Sequence, residues 1–339
     1  MEKLISSRCN LQSVPESYIL PPERRPGELI VPLCNTIPVI DLHGEFGCNR
    51  SELIQQIIKS SQEFGFFQLV NHGVSVELMR DVLIVAKKFF ELPAEDKASL
   101  YSEDPKQCCR LYTSIDYATE KVHFWRDNLR HPCHPLKDHL HHWPQKPTQY
   151  REVVGRYSVE VRKLSFWLLD LIRDGLGLES GYFRDNLSQV QLMALNHYPP
   201  CPDPSLTLGL PKHSDVNLIT LLNQQDVLGL QVLKDEKWLA VEPLPNAFVV
   251  NIGLMLQIIS NGKLKSADHR VVTNTSVTRT TVASFIHPSS DSHIEPAKVL
   301  VSKRSPPLYR AFIYKDFVIT YRVHTHEGKP PLEHLELPS

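Results

Sequence analysis

Three residues in the second half of the chain have the types and spacing of a metal centre. One residue separates His213 from Asp215, and His269 follows in the sequence Ala267-Asp-His269-Arg-Val-Val. If His213 and Asp215 share a strand, positions i and i+2 point to one face, and His269 can approach from another strand. Two imidazoles and one carboxylate are the ligands with which non-haem Fe(II) keeps three positions open. Because the chain has 16 histidines, a chance His-x-Asp with surface or core histidines remains the alternative.

A second group of residues could bind a carboxylate. Arg279 and Thr281 stand two residues apart at the start of a β-type run, so their side chains are expected on one face. A guanidinium can bind both oxygens of a carboxylate, and a hydroxyl can add another hydrogen bond. Upstream, Asn196 and Tyr198 end another predicted strand with an amide and a phenol. Each residue alone could be an ordinary ion pair or core ring, but their order along the chain favours one shared site.

A histidine-rich stretch between residues 101 and 146 could suggest zinc binding. Its histidines are His131, His134, His139, His141 and His142. The stretch lacks the paired Cys/His spacing of structural zinc sites, so we expect an exposed polar loop there.

The elements that must position these residues follow from hydrophobic periodicity. In the second half, short apolar or alternating runs are separated by Pro, Asn, Asp and Gly, which predicts an all-β barrel or sandwich. These runs are 190–198, 216–222, 229–233, 248–252, 270–273 and 281–287. The first half instead predicts helices, including a long amphipathic one that ends at Gly175-Leu-Gly177.

The chain is expected to form a single domain over residues 1–339, because it has neither a repeat nor a linker-like stretch. We divide it into a helix-rich part (1–190), a catalytic core (190–300) and a C-terminal segment (301–339). Within the first part, residues 101–146 show no clean period, and we interpret them as a variable insertion or lid.

Composition and charge exclude several classes of protein. With 37 Lys+Arg and 38 Asp+Glu the formal net charge is −1, so there is no basic excess for a nucleic-acid backbone or an anionic membrane. No unbroken apolar stretch of about 18 residues suggests a membrane span. Seven cysteines without a Cys-x-x-Cys pattern predict free thiols in a reducing compartment. We therefore expect a cytoplasmic monomer that binds a small molecule.

Taken together, the motifs resemble the plant 2-oxoglutarate- and Fe(II)-dependent dioxygenase family over nearly the whole chain. The resemblance is carried by Pro38-Val-Ile-Asp-Leu42, Phe64-Gly-Phe-Phe-Gln-Leu-Val-Asn-His-Gly73, Asn196-His-Tyr-Pro-Pro-Cys-Pro202, His213-Ser-Asp215, Gly229-Leu-Gln231, Val249-Val-Asn-Ile-Gly253, the segment around His269, and Arg279-Thr-Thr281. It implies a mainly β fold with flanking helices, in which the core is a double-stranded β-helix, the jelly roll of cupin-like proteins.

The resemblance also implies roles by position. Iron would be held by His213, Asp215 and His269, and the distal carboxylate of 2-oxoglutarate by Arg279 and Thr281 with Tyr198 and Asn196 beside it. The implied cofactors are Fe(II), 2-oxoglutarate and O2, with ascorbate as a reductant. Two positions depart from the family pattern: Thr281 stands where serine is usual, and Leu254 stands where aspartate is usual.

Within the family, the chain is similar to the branch that contains hyoscyamine 6-hydroxylase and the salicylate hydroxylases associated with downy mildew resistance. This similarity lies in Leu100-Tyr-Ser, Trp125-Arg-Asp127, Cys133-His-Pro135, Trp143-Pro144 and Tyr150-Arg-Glu-Val-Val154.

The resemblance implies that oxidative decarboxylation of 2-oxoglutarate generates an Fe(IV)=O species that hydroxylates, desaturates or closes a ring in a plant specialised metabolite or hormone. Candidate substrate contacts are Lys121, Phe124, Phe285 and Tyr314, and core packing is the alternative for the aromatic ones. Three other functions stay open: an iron oxidase that uses ascorbate, a catalytically silent small-molecule-binding protein on the same fold, and a pure interaction protein.

Overall fold

Two facing β-sheets form the centre of the protein. The computed structural model describes residues 3–8, 11–27, 31–34, 36–43, 50–327 and 330–338. Within them the strands are β1 (Val39–Asp41), β2 (Phe66–Val70), β3 (Arg110–Thr113), β4 (Asp127–Pro132), β5 (Val190–Tyr198), β6 (Leu210–His213), β7 (Ile219–Gln224), β8 (Leu230–Lys234), β9 (Lys237–Ala240), β10 (Phe248–Ile252), β11 (His269–Val271), β12 (Arg279–His287), β13 (His293–Ile294) and β14 (Phe312–Ile313).

The helices lie mainly on one side of these sheets. In the same residues they are α1 (Arg50–Glu63), α2 (Val76–Glu91), α3 (Ala94–Lys97), α4 (Leu136–His139), α5 (Tyr150–Leu176), α6 (Leu254–Ile259) and α7 (Tyr314–Glu327). The predicted long amphipathic helix is α5, and it ends where Gly177 adopts a left-handed conformation with φ of 68°. Glycine takes this conformation without the steric cost that a side chain would add.

The strand order shows how the two sheets are built. The major sheet has eight strands in the order β1-β2-β10-β7-β12-β5-β4-β3, and the minor sheet has four in the order β6-β11-β8-β9. All neighbours except β1 and β2 pair antiparallel. The predicted mainly β fold with flanking helices and a jelly-roll core is therefore confirmed.

Both faces of the major sheet are buried, each against a different partner. On β12, Val282 and Ile286 join the large core shared with the helices, whereas Ala283 and Phe285 pack with residues of the minor sheet. Successive strand residues point to opposite faces, so one strand serves both layers. We call the face that carries Ala283 and looks toward the minor sheet the inner face.

The cross-strand register divides the inner face into rows. One row runs through Gln224, Thr281, Asn196 and Asn128, and the next through Leu222, Ala283, Ala194 and Arg130. A third row contains Thr220, Phe285, Leu192 and Pro132. Directly paired residues in an antiparallel sheet share a face, so each row lines the same interior.

Residues 101–146 differ from the predicted insertion or lid. They contribute β3 and β4, and β4 pairs with β5 over six residue pairs. Periodicity missed β4 because its two faces carry polar as well as apolar residues, and four of its six residues are buried. A strand buried on both faces shows no alternation of apolar and polar residues.

Strand β4 also anchors the start of the chain. The buried carboxylate of Asp127 accepts hydrogen bonds from the backbone N–H groups of Ile5 at 3.0 Å and Ser6 at 2.8 Å. These N–H groups open a short 3-10 helix, Ile5–Ser7, so the carboxylate satisfies donors that a helix start leaves free. The described residues at the start of the chain pack on the body of the protein, since Leu4, Ile5 and Tyr18 are buried.

Two further findings concern the predicted free thiols and the predicted lack of a membrane span. The described cysteines, Cys34, Cys108, Cys109, Cys133 and Cys201, are all free thiols; Cys9 and Cys48 lie outside the described residues. None of the helices in the described ranges combines the length and apolar character that crossing a bilayer requires.

Candidate metal centre and co-substrate site

The three predicted metal ligands come together at one edge of the minor sheet. His213 is the last residue of β6, His269 is the first residue of β11, and the two are cross-strand partners. Asp215 lies two residues past the end of β6, in a loop. The prediction that His213 and Asp215 share a strand was therefore wrong, although their side chains still converge.

The distances allow all three side chains to bind one ion. Oδ1 of Asp215 lies 3.9 Å from Nε2 of His213 and 3.9 Å from Nε2 of His269. All three ligand atoms lie within 4.8 Å of one another. An ion bound at about 2.1 Å can bridge two ligand atoms up to roughly 4.2 Å apart, which covers both distances from Asp215; the third pair needs at most a small adjustment of the imidazoles. The site fits a metal with imidazole and carboxylate ligands, which is the donor set of non-haem Fe(II).

Hydrogen bonds orient each ligand atom toward the shared point. Nδ1 of His213 donates to Pro211 O at 2.9 Å, and Nδ1 of His269 donates to Ala267 O at 3.2 Å. With the proton on Nδ1, the lone pair of Nε2 is available to a metal. Oδ2 of Asp215 accepts hydrogen bonds from Thr220 at 2.7 Å and Asn251 at 3.1 Å, so Oδ1 is the oxygen that faces the imidazoles.

The protonation states at neutral pH suit metal binding. Burial, and then the neighbouring His269, lowers the pKa of His213 to about 4. Burial acts to raise the pKa of Asp215, but His269, His213 and the hydrogen bonds from Thr220 and Asn251 outweigh it and lower this pKa. A neutral imidazole and an ionised carboxylate are the forms that coordinate a cation.

Residues that sequence reasoning missed connect the two metal-bearing strands. Asp268, which precedes His269, accepts a hydrogen bond from Ser214 Oγ and pairs with Lys212 Nζ at 2.9 Å. The only available signal was the position of Ser214 and Asp268 next to predicted ligands. These contacts hold the ends of β6 and β11 together and so position the ligands.

Helix α7 holds the loop that carries Asp215. Tyr321 Oη donates to Ser214 O at 2.8 Å, and Tyr314 Oη donates to Val216 O at 3.3 Å. Two phenols from the C-terminal segment thus bracket Asp215. The predicted substrate contact Tyr314 lies near the metal centre, where its hydroxyl is also hydrogen-bonded to His287 Nδ1 at 2.8 Å.

Arg279 begins β12 and is buried in the space between the sheets. Its exposed fraction is 2%. Its Nη2 donates to Gln224 Oε1 at 2.9 Å and its Nε to Val227 O at 3.2 Å, and its guanidinium lies 5.4 Å from the centre of the Tyr198 ring. A Cβ at Gly229 would lie 2.9 Å from Arg279 Cδ. Glycine is therefore required beside the arginine stem.

This arginine fits an anionic co-substrate. Among the described residues no carboxylate lies within ion-pair distance of Arg279, although burial of an uncompensated charge is costly. Nε2 of Gln224 is also buried without a hydrogen-bond partner. The guanidinium of Arg279 and Nε2 of Gln224 therefore offer a positive charge and a hydrogen-bond donor in the same interior. The distal carboxylate of 2-oxoglutarate could bind to both.

A polar network lies beside this arginine. Asn196 Nδ2 donates to Thr281 Oγ1 at 3.4 Å, and Asn196 Oδ1 accepts from Asn128 at 2.5 Å and Arg126 at 3.2 Å. The side chain of Asn196 is thus occupied by protein partners, so it positions Thr281 instead of facing a ligand. Sequence reasoning missed Asn128, because nothing in the pattern marked β4 as a strand of this sheet.

The structure separates the remaining predicted substrate contacts. Phe285 lies on the inner face and is half-buried. Phe124 instead packs with Leu20 and Leu208 in a separate small core. Lys121 is exposed on a turn. Of the four residues, the structure brings Phe285 and Tyr314 to the metal centre and leaves Phe124 and Lys121 outside it.

Leu254 does not face the site. It is the first residue of α6, and its side chain is buried in the large helix-facing core. Its backbone N–H donates to the carbonyl oxygen of Asp215 at 2.8 Å. The backbone at position 254 thus supports the metal loop whatever its side chain, while leucine adds apolar burial.

The prediction of an exposed loop is wrong for one of its five histidines. His131 is fully buried on β4, where Nε2 is hydrogen-bonded to Tyr150 Oη at 2.8 Å. His141 and His142 are exposed as predicted, and His134 and His139 are intermediate. Within the described part of the chain, the only cluster with metal-ligand geometry is His213, Asp215 and His269.

Comparison with known proteins places this geometry in a family. Residues 189–288 match the 2OG-Fe(II) oxygenase superfamily, and residues 37–150 match the N-terminal region of non-haem dioxygenases in morphine synthesis. Hyoscyamine 6-dioxygenase from Hyoscyamus niger is 47% identical over 327 residues, with 93% of each chain covered. The protein DOWNY MILDEW RESISTANCE 6 from Arabidopsis thaliana is 44% identical, again with 93% of each covered.

Solved structures agree with these relatives. The crystal structure of JOX2 in complex with 2OG, Fe and JA superposes with a TM-score of 0.86 at 35% identity, covering 98% of this chain and 97% of JOX2. Identity at this level over nearly full lengths, together with the fold and the two cofactor sites, decides the assignment. The chain belongs to the 2OG-Fe(II) oxygenase superfamily and is a 2-oxoglutarate- and Fe(II)-dependent dioxygenase.

Proposed function

We propose that the enzyme couples oxidative decarboxylation of 2-oxoglutarate to hydroxylation of an unactivated C–H bond in a small plant metabolite or hormone. Iron is held by His213, Asp215 and His269, and the distal carboxylate of 2-oxoglutarate by Arg279 and Thr281. When bound, the ferrous ion would provide the place at which O2 is activated, and oxidation of 2-oxoglutarate to succinate and CO2 would supply two electrons for the reduction of O2.

The observation that carries this proposal is the pairing of two incomplete sites in one interior. Three converging ligand atoms can bind a cation, and the buried positive charge of Arg279 would be stabilised by an anion. A dicarboxylate that chelates the metal at one end and meets Arg279 at the other satisfies both. The ring of Tyr198 lies 5.4 Å from the guanidinium, within the range of a cation–π interaction.

Hydrogen bonds within the protein orient the side chains that would hold the metal and 2-oxoglutarate. Thr220 and Asn251 fix one oxygen of Asp215, so the other is presented to the metal. Asn196 holds the hydroxyl of Thr281 beside Arg279. The inner face around Ala283 and Phe285 is largely apolar, which excludes water from the reacting atoms.

The names of the relatives support a small-molecule substrate. They include a hyoscyamine dioxygenase, a flavanone 3-dioxygenase from Oryza sativa and a 2'-deoxymugineic-acid 2'-dioxygenase from Hordeum vulgare. These names describe chemically different molecules. Oxidation of a small organic molecule is what they share, and desaturation or ring closure would follow from a second hydrogen abstraction on the same substrate.

The test measures release of radiolabelled CO2 from the C1 carboxylate of 2-oxoglutarate with a panel of phenolic acids, flavonoids, lignans and alkaloids. We expect at least one compound to stimulate CO2 and succinate formation in equal amounts. Arg279→Gln should raise the KM for 2-oxoglutarate by about 100-fold, because a charge-assisted pair is lost in a buried site. Arg270→Gln is the matched control, because Arg270 is a buried arginine bound to Gln231 and Pro26 O.

The result that would overturn the proposal is oxidation of a substrate without any requirement for 2-oxoglutarate. Such a result would identify an oxidase that uses ascorbate. Failure of Fe(II) and 2-oxoglutarate together to produce a visible charge-transfer band would instead favour a binding or interaction protein on this fold.

A further inference from the structure

A half-buried arginine at one end of the inner face has no protein partner in the described part of the chain. Arg130 lies in the middle of β4, and none of the hydrogen bonds, ion pairs or ring contacts of the described residues involves it. Other arginines in this neighbourhood are held: Arg126 donates to Ser114 O and Asn196. A guanidinium carries five donors, so an unbound one in a partly dry interior is an unusual feature.

The strand register adds to the free-energy cost of burying Arg130 without a partner, because it places a second arginine opposite. Arg130 is directly opposite Arg110 on β3, and like charges in this relation are destabilising. Arg110 is turned to its own partners, Ser102 O at 2.8 Å and the ring of Tyr112 at 4.1 Å. Arg110 also acts electrostatically on the carboxylate of Glu103, so within the described part of the chain the charge without an anion is that of Arg130.

The charge of Arg130 also acts on residues close to the metal centre. Burial, and after it the charge of Arg130, lowers the pKa of His287 to about 3, whereas the charge of Asp215 acts to raise it. Arg130 and Asp215 therefore both lie within electrostatic range of His287. The charge of Arg130 also acts on Tyr314, although burial dominates and raises the pKa of that phenol.

The surface between Arg130 and the metal is shaped for a small molecule. In the row of Arg130, the next two positions toward β7 are Ala194 and Ala283, which project little into the interior. The next row adds Leu192 and Phe285, both half-buried. The neighbouring strands β4, β5, β12 and β7 together span about 14 Å at the usual spacing of about 4.8 Å. This width leaves room for a molecule of one or two rings.

We propose that the substrate is a small organic acid whose carboxylate pairs with Arg130, while its apolar body lies over Ala194, Ala283 and Phe285 toward the metal. This inference rests on the proposed function, since it names the substrate class of that site. The carboxylate fixes one end of the molecule, so the C–H bond to be oxidised is set by its distance from that end.

The test compares acids with their neutral amides on the anaerobic enzyme saturated with Fe(II) and 2-oxoglutarate. The probes are benzoate and benzamide, trans-cinnamate and cinnamamide, and indole-3-acetate and indole-3-acetamide. Binding is followed by calorimetry and by the shift of the charge-transfer band, which must persist if 2-oxoglutarate stays bound. We expect at least one acid to bind about tenfold or more tightly than its amide, the gain of a charge-assisted hydrogen bond.

The variants assign this preference to one side chain. Arg130→Gln should bring the acid-to-amide ratio close to one, and Arg130→Lys should retain part of it, because the charge remains without the planar fork. Arg156→Gln, which removes an exposed arginine of α5, should leave the ratio unchanged. Thermal unfolding of each variant verifies that the fold is intact.

Three results would overturn the inference: no acid binds the loaded enzyme, acids and amides bind equally, or the preference survives Arg130→Gln. Loss of the preference in Lys121→Gln instead of Arg130→Gln would place the anchor on that exposed lysine and also reject Arg130. If the charge-transfer band never forms, the proposed function itself fails. The two failures are therefore distinguishable.

Discussion

The metal centre and the β3–β4 segment lie on the same interior, but they are built in opposite ways. The metal centre combines three side chains from the ends of β6 and β11 and the adjoining loop, with His213 partly accessible. In β4, all six residues pair with β5, a strand distant in sequence, which in turn pairs with β12. The metal centre is defined by the identity of a few residues, whereas the surroundings of β4 are defined by its pairing with distant strands.

This difference indicates how each region should respond to substitution. Removing a ligand at the metal centre should abolish chemistry and spare the fold, since the three ligand side chains are polar and none of them is part of the hydrophobic cores. Removing a core residue of β4 should lower stability and spare the metal, since β4 supplies none of its ligands. The following experiments test that separation.

The largest effect is expected for Asp215→Ala. Loss of the only carboxylate among the three proposed ligands should lower substrate-dependent succinate formation by roughly 10³-fold or more, with little change in the melting temperature. Succinate assays and thermal unfolding measure the two quantities. Asp291→Ala, at an exposed aspartate paired with Lys315, is the control. Normal turnover in Asp215→Ala would reject the metal assignment.

A substitution of a core residue in β4 should have the opposite effect, lowering stability while leaving Fe(II) binding unchanged. Leu129 is fully buried and faces the helices, so Leu129→Ala should lower the free energy of unfolding by about 2–5 kcal/mol. Fe(II) affinity of the folded protein, measured well below the melting temperature, should stay near that of the parent. Urea unfolding supplies the stability, with Ile319→Ala at an exposed site of α7 as control. A parallel loss of Fe(II) affinity would show that the two regions are coupled.

A smaller, selective effect is expected beside the co-substrate. In Gly229→Ala, the new Cβ would crowd Arg279 Cδ at 2.9 Å and Val272 O at 3.2 Å. We expect the KM for 2-oxoglutarate to rise roughly tenfold through displacement of the guanidinium, while Fe(II) affinity changes little. Gly155→Ala is the matched control, because its nearest neighbour, a methyl of Leu136, lies at an ordinary 3.6 Å. An unchanged KM would mean that Arg279 tolerates the shift or does not bind 2-oxoglutarate.

The smallest effect is a change in pH dependence at β4. Burial lowers the pKa of His131 to about 3, against about 6.5 in an unfolded chain. Between these values only the unfolded state binds the proton, so stability is lost as the pH falls below about 6.5. In His131→Gln, the slope of unfolding free energy against pH from 6.5 to 5 should decrease by up to about 1.4 kcal/mol per pH unit.

The control for this experiment is an exposed histidine of the same stretch. His141→Gln should leave the pH slope unchanged, since it removes an exposed side chain. If His131→Gln and His141→Gln behave alike, the burial of His131 on β4 is not what sets the slope. Urea unfolding at a series of pH values measures both.

Much of the site could be predicted because its residues carry local signals. His213-Ser-Asp215 and Arg279-Thr-Thr281 are short motifs in which unusual residue types recur at strand spacing. The strands 190–198 and 248–252 were also predicted with their observed bounds, since turn residues flank these apolar or alternating runs. The convergence of His269 on His213 required only that two such strands pair.

The unpredicted residues share one physical cause. Asp268, Gln224, Asn128 and Arg130 have ordinary types for a surface, and the pattern along the chain does not distinguish a polar residue in solvent from one that lines a buried interior. Their roles depend on which strand lies beside them. That information is long-range, because β4 pairs with a strand some sixty residues away in the chain.

The amino-acid sequence determined the chemistry of this protein: the ligand types, the carboxylate receptor and the strand-rich second half all follow from residue identity and short-range periodicity. Tertiary structure alone decided that residues 101–146 contribute two strands to the major sheet, that Asp215 joins His213 and His269 from a loop, and that Arg130 has no partner among the described residues on the inner face. The reason is that local sequence sets what each side chain can do, whereas burial and pairing between distant segments set what surrounds it.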